Sequence, residues 1–199
     1  MGKNHPNVDP YVVSRVRALE SLLLERGVLT PEAVDEVVRR YGDTTGPLLG
    51  ARAVARAWRD PGYKRLLLED SKAALSTLGL EYDRLVVVEN TAAVHNLVVC
   101  TLCSCYPWDV LGLPPTWYKL PAYRSRAVSA PRQVLGEFGL EIAADRDIRV
   151  WDSSAEVRYM VLPQRPAGAE RVDEAELTRL IPRDALIGVA EVTLPPARA

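Results

Sequence analysis

The sequence predicts an α+β chain, with a helical arm over residues 1–79 followed by a domain over 80–199 in which antiparallel sheets are flanked by helices. Three observations predict it. Apolar residues in the first third recur at spacings of three and four, and after Gly79 they give way to runs of valine and leucine. No internal repeat or low-complexity tract interrupts either half.

The arm divides into four helices. Over 10–26, Val12, Val16, Leu19 and Leu23 form one stripe, with Asp9 as N-cap, Pro10 at the first helical position and Gly27 as stop. A second start signal, Thr30-Pro31-Glu32, leads through Val34, Val37 and Val38 to Gly42. The Ala- and Arg-rich stretch 46–58 is the third, broken by Asp60-Pro61-Gly62, and 63–78 the fourth, ending at Gly79. These helices carry more apolar face than they can bury among themselves. The surplus docks on a partner chain or on the C-terminal half.

Strands follow at 85–88 and 97–99, separated by the polar Glu89-Asn90-Thr91. Pro114-Pro115 excludes regular structure locally, while 123–128 and 132–138 read as short helices. Two paired strands are predicted at 148–151 and 157–161, then a helix over 173–181 and a last strand-like stretch over 186–194.

Composition narrows the function. A chain of 199 residues, 48% of them hydrophobic, can bury a substantial core. Its 25 Lys and Arg against 26 Asp and Glu lack the basic footprint of a nucleic-acid binder. No apolar run approaches the roughly 18 residues of a membrane span, and the N-terminus lacks a signal-like stretch, so a cytoplasmic chain is expected.

All three cysteines fall within Cys100-Thr101-Leu102-Cys103-Ser104-Cys105. Disulfide frameworks join distant segments, so such crowding points to metal or catalysis. A loop this short cannot close a tetrahedral zinc site without a distant ligand, and only His5 and His95 are on offer. His95, on the incoming strand, is expected as a hydrogen-bonded core residue. A cubane cluster usually takes four cysteines, and three are present. Three thiolates suit a soft or borderline transition metal, and the backbone nitrogens of Ser104 and Cys105 can complete the set as amidates. Because peptide N–H groups are very weak acids, that arrangement demands a trivalent, strongly Lewis-acidic ion. It supplies five ligands and leaves one position for water or substrate. A non-catalytic thiolate protein holding zinc or copper(I) remains the other reading.

The run Val99 to Trp108, then Leu111-Gly112-Leu113-Pro114-Pro115-Thr116-Trp117-Tyr118-Lys119 and Tyr123-Arg124-Ser125-Arg126, closely resembles the α subunit of nitrile hydratase. The metal subunit of thiocyanate hydrolase carries the same core motif. The resemblance is strong over 90–135 and looser over the helical beginning and 183–188. It implies a nitrile hydratase α-chain-like fold whose C-terminal domain holds the metal, with Cys100 as axial thiolate and Cys103, Cys105 and the Ser104 and Cys105 amidates equatorial. It further implies oxidation of Cys103 to sulfinate and of Cys105 to sulfenate, so that Cys105, Cys103 and Ser104 carry the catalysis. Thr101, between the first two thiols, implies non-corrin Co(III), where serine would imply iron.

The activity implied is hydration of a nitrile to its amide, or, for the related family, hydrolysis of thiocyanate. Trp108 and Thr101 are the implied substrate contacts, against plain core packing for Trp108 and a local backbone bond for Thr101. Tyr118, Lys119, Arg124 and Arg126 are expected to fix the loop and the subunit contact. Partners implied are a β-type subunit in one chain or two, whose arginines hold the oxidised sulfurs, and an activator protein that inserts cobalt. Asp109 stands where the family commonly has proline, and Leu120-Pro121-Ala122 replaces a polar segment. Both departures point to a pocket reshaped for a bulky nitrile, as in toyocamycin nitrile hydratase.

Overall fold

Side chains of Thr30, Asp60, Asp70 and Asp173 cap the starts of helices in this chain. The computed structural model describes residues 10–39, 48–103 and 105–195. The predicted cap Asp9 and the stop Gly42 lie outside them. Helix α1 spans Pro10–Glu25 and α2 spans Pro31–Arg39, the latter opened by Thr30, whose hydroxyl accepts from the Ala33 N–H at 3.2 Å. Helix α3 follows over Leu48–Arg59. The single helix expected over 63–78 is two, α4 (Pro61–Glu69) and α5 (Ser71–Ser76). Asp70 divides them: its backbone leaves helical geometry and its carboxylate accepts from the Ala73 N–H at 3.0 Å, starting a new helix.

The strands are β1 (Leu85–Glu89), β2 (Val94–Val99), β3 (Asp147–Asp152) and β4 (Arg158–Leu162). Between β2 and β3 lie α6 (Trp108–Leu111), a 3₁₀ turn over Thr116–Lys119, α7 (Pro121–Ser129) and α8 (Pro131–Glu137). After β4 come a 3₁₀ turn over Ala169–Arg171, α9 (Glu174–Leu180) and α10 (Arg183–Ile187).

The mixed α+β class holds, but the expected antiparallel sheets are corrected: β1 pairs with β4 and β2 with β3, both in parallel. Nor do the strands at 147–152 and 158–162 pair with each other. The short link between them resembles a hairpin loop in sequence. Instead, the Ser153 N–H donates to the Val99 carbonyl at 2.7 Å, and Ser154 and Val157 close a turn that hands the chain from one pair to the other. Parallel pairing needs a long crossover, which α6, α7 and α8 supply. A second correction concerns 186–194. Its apolar run begins inside α10, which starts after Pro182 and stops at Gly188 (φ 95°). Residues 189–195 form no strand. A Cβ at Gly188 would run into the Asn96 carbonyl, so only glycine lets the chain pass β2 this closely.

Helix α3 buries Ala51, Ala53, Val54, Ala55 and Ala57, and these small side chains let it lie close against α4, α6 and α9. Leu67, Leu75, Leu97, Leu111, Leu135, Met160, Leu177 and Leu186 fill one core reaching from α4 to α10. By contrast, α1 presents Tyr11, Val12, Val16, Leu19 and Leu22 to solvent.

A buried polar network pins the start of β2. As expected, His95 is a core residue: its Nε2 donates to the Gly188 carbonyl at 2.7 Å, and its Nδ1 lies 3.3 Å from Asn90 Nδ2. Asn90 Oδ1 accepts from the Asn96 N–H at 2.7 Å, and Trp151 Nε1 donates to Asn96 Oδ1 at 2.8 Å. Burial depresses the basicity of the His95 imidazole and keeps it neutral, against the smaller opposing effect of its bond to Gly188.

Candidate metal centre

Strand β2 is buried along nearly its whole length and delivers Cys100, itself buried, to its end. There the chain leaves the ladder and folds back on itself. Cys100 Sγ and Cys103 Sγ stand 3.2 Å apart, Cys103 Sγ and Cys105 Sγ 2.8 Å apart, and all three sulfurs lie within 4.8 Å of one another. Among the described residues this is the group of metal-ligating side chains that the fold assembles. The Cys103 N–H donates to Cys100 Sγ at 3.4 Å, which closes the turn between the first two cysteines. Ser104, the fourth residue expected here, lies outside the described residues.

Geometry tests the fit to a metal. Thiolates about 2.3 Å from a shared ion stand about 3.3 Å apart at right angles and about 3.8 Å apart at tetrahedral angles. The 3.2 Å separation lies near the right-angled value and the 2.8 Å one is shorter than either geometry gives. Three sulfurs this close together can share one transition ion. Without an ion, burial, and next its bond with Cys103, push the Cys105 thiol up to about 12, while the Arg158 charge pulls the other way.

Four side chains grip the loop from outside. From α7, the Tyr123 hydroxyl donates to the Val98 carbonyl at 2.7 Å, and Arg124 donates through Nε to the Cys100 carbonyl at 3.0 Å and through Nη2 to the Thr101 carbonyl. The Tyr118 hydroxyl donates to the Cys105 carbonyl at 3.2 Å. Opposite, the Asp152 carboxylate accepts the Thr101 N–H at 2.9 Å and the Thr101 hydroxyl at 2.5 Å. Tyr118 and Tyr123 are buried in a cluster with Trp117 and Phe138, with ring centres 4.7 to 6.2 Å apart; Trp117 meets the other three rings edge to face, while Tyr118 and Tyr123 are tilted. Burial holds both phenols well above their ordinary acidity range, so they act as neutral donors.

The expected loop-fixing residues separate here. Arg124 and Tyr118 hold the loop, Arg126 pairs instead with Glu137 on α8, and the Lys119 ammonium sits 5.3 Å from the Trp108 ring centre. Trp108 is half-exposed beside the loop, and Leu102 at its tip is 90% exposed. The Thr101 hydroxyl is bound to Asp152, which leaves its methyl group toward other neighbours. Sequence reasoning missed Asp152. It stands 51 residues from Thr101, and the only signal is the parallel register that sets it opposite Val99.

Known proteins resemble this chain over nearly its whole length. Residues 11–190 match the family described as nitrile hydratase, alpha chain. The low-molecular-weight cobalt-containing nitrile hydratase subunit alpha of Rhodococcus rhodochrous is 52% identical over 193 residues, 96% of this chain and 93% of its own. The cobalt-containing nitrile hydratase subunit alpha of Pseudonocardia thermophila is 50% identical over 94% of each chain. Thiocyanate hydrolase subunit gamma of Thiobacillus thioparus is 42% identical over 87% of this chain and 76% of its own. Among solved structures, a double mutant of Fe-type nitrile hydratase from Comamonas testosteroni Ni1 matches with a TM-score of 0.85 at 42% identity, covering 96% of this chain and 98% of that one. A recombinant thiocyanate hydrolase matches at 0.75 and 38%, covering 97% and 98%. Fold, loop and near-full-length identity agree: the chain belongs to the nitrile hydratase alpha-chain family.

Proposed function

We propose that this chain is the metal-bearing subunit of a cobalt nitrile hydratase, adding water to a nitrile to give the amide. The observation that carries the reading is the convergence of three thiols, all within 4.8 Å of one another, on a loop clamped from both sides. Cys100, Cys103 and Cys105, with the main-chain nitrogens of Ser104 and Cys105, would hold the ion. Cobalt rather than iron is supported by Thr101 and by cobalt-containing relatives at 49 to 52% identity. When bound, Co(III) supplies a Lewis acid that polarises the nitrile carbon.

The protein's own residues do the rest. Cys105, oxidised to sulfenate, carries the oxygen that attacks or takes the proton of water, and Cys103, as sulfinate, withdraws electron density from the centre. Trp108 offers the nitrile an apolar wall, and Thr101 offers its methyl group. The exposed Leu102 and Trp108 call for a covering surface. We assign that cover to a β-type subunit, in one chain or two, and metal insertion to an activator protein. Docking belongs to the arm, and within it to α1 and α2, whose apolar residues find little cover in their own chain. The site of action is the cytoplasm, where clustered thiols persist until metal arrives. Asp109, in the first turn of α6 next to Trp108, supports a reshaped pocket and a bulky substrate.

The test is co-expression with the partner and activator, followed by cobalt analysis, the mass of the 100–105 peptide, and product analysis. Expected are one cobalt per chain, a peptide heavier by the oxygens of one sulfinate and one sulfenate, and amide from nitrile. Cys105→Ser should lower turnover by about a hundredfold or more. Carbonyl sulfide from thiocyanate would favour the second reading, which the relative at 42% identity supports. Zinc or copper with unoxidised sulfurs would reject both. The chain without its partner should turn over little or nothing.

A further inference from the structure

Consecutive carbonyls of an extended chain point to opposite sides, so one side chain cannot ordinarily serve two in a row. Arg124 does so. Its Nε donates to the Cys100 carbonyl at 3.0 Å and its Nη2 to the Thr101 carbonyl, which requires the chain to bend at the point where β2 ends. The fork of the guanidinium fixes the angle between these two peptide units, because its donors are coplanar and rigidly spaced. The preceding residue adds a third grip, Tyr123 on the Val98 carbonyl at 2.7 Å. Helix α7 thus holds three carbonyls of the strand end with two adjacent side chains.

Across the loop, Asp152 takes the Thr101 N–H and hydroxyl at 2.9 and 2.5 Å, so residue 101 is fixed on both its nitrogen and its oxygen side. The bend between these jaws turns Cys100 Sγ to within 3.2 Å of Cys103 Sγ. No other arginine of α7 shares this placement: Arg126 faces Glu137 on α8.

We propose that Arg124 is a positioning residue of the metal centre, its two-pronged hold on the Cys100 and Thr101 carbonyls setting the bend that brings the first sulfur into register with the other two, with Asp152 as the opposing jaw. The proposal rests on reading the loop as a metal centre. Lysine at 124 keeps the charge but offers a point donor in place of a fork, and so cannot fix both peptide planes.

The experiment compares the intact complex carrying Arg124→Lys with wild type and with Arg126→Lys. Four readouts are taken. In the cobalt-loaded complex these are the sulfur-to-metal charge-transfer absorption, cobalt release to EDTA, and kcat against KM. In the metal-free complex, it is the rate of capture of phenylarsine oxide, a trivalent arsenical that needs converging thiols. Arg124→Lys should shift the absorption, release cobalt about tenfold faster and lower kcat with little change in KM. Its arsenical capture should slow severalfold. Arg126→Lys should match wild type in all of these. Arg124→Lys indistinguishable from wild type in both absorption and arsenical capture overturns the proposal. A wild-type complex that refuses cobalt, while arsenical capture still responds to Arg124, defeats the cobalt reading and leaves the positioning role supported. Should Arg124→Lys fail to assemble, Arg124→Gln, whose shorter stem and single donor group cannot span both carbonyls, carries the same measurements, and no change in them overturns the proposal equally.

Discussion

Helices α1 and α3 carry the same sequence signal and meet opposite fates. Both repeat apolar residues every three to four positions. In α3, Ala53, Val54 and Ala55 are wholly buried against its neighbours, whereas in α1 Val16 and Leu19 remain 57% and 58% exposed. Periodicity reports that a helix has an apolar face, and says nothing of which chain will cover it. Side-chain size carries more: small residues in α3 permit close approach within the chain, whereas the larger leucines and valines of α1 stay exposed on it.

The contrast can be broken or sharpened by substitutions ranked by their cost to this chain's stability. Gly188→Ala should cost most, about 4 kcal/mol or more, because it joins a left-handed backbone to a collision with the main chain of β2. Thermal or urea unfolding of the chain reads this directly, and a cost under 1 kcal/mol would mean that α10 does not lock onto β2. Leu67→Ala in the core should cost about 2–5 kcal/mol.

A pH effect comes next. Folding lowers the pKa of His95, so the native state binds fewer protons there than the unfolded chain. Stability from this residue is complete above its unfolded value of about 6.5 and is lost as pH falls below it. Urea midpoints should decline on acidification in that window, and His95→Gln should flatten the decline. The charged groups near the ring, Arg146 and Glu191, should act on the acid end of this decline in opposite senses, since the cation lowers the folded-state pKa and the carboxylate raises it. Least of all, Leu19→Ala in α1 should change the chain's own stability by no more than about 0.5 kcal/mol. The same substitution should weaken assembly with the partner in analytical ultracentrifugation. An equal loss of stability in Leu19→Ala and Leu67→Ala would erase the distinction between arm and core.

What the sequence made legible was local. The starts of α1 and α2 could be read from Pro10 and Thr30, since a proline or a cap acts within one turn, whereas Asp60-Pro61-Gly62 reads as a break although Pro61 opens α4. The sulfur loop could be read because all three cysteines sit within six residues. The division at Asp70 was missed although its cause is equally local, because the apolar stripe runs on through it. Strand pairing was not legible. The link over 153–157 has the length of a hairpin loop, and only long-range geometry sends β3 to β2 and β4 to β1. Asp152 fell with that error, since its role depends entirely on which strand lies beside it.

The six-residue register from Val94↔Asp147 to Val99↔Asp152 has a use in sorting genomes. Successive side chains of a strand face opposite ways, so one inserted or deleted residue within 147–152 would swing the carboxylate to the far side of the ribbon. A homologue with an intact cysteine triplet but a frame slip in this distant segment should be classed with proteins that have lost the centre, and cysteine motifs alone would misfile it.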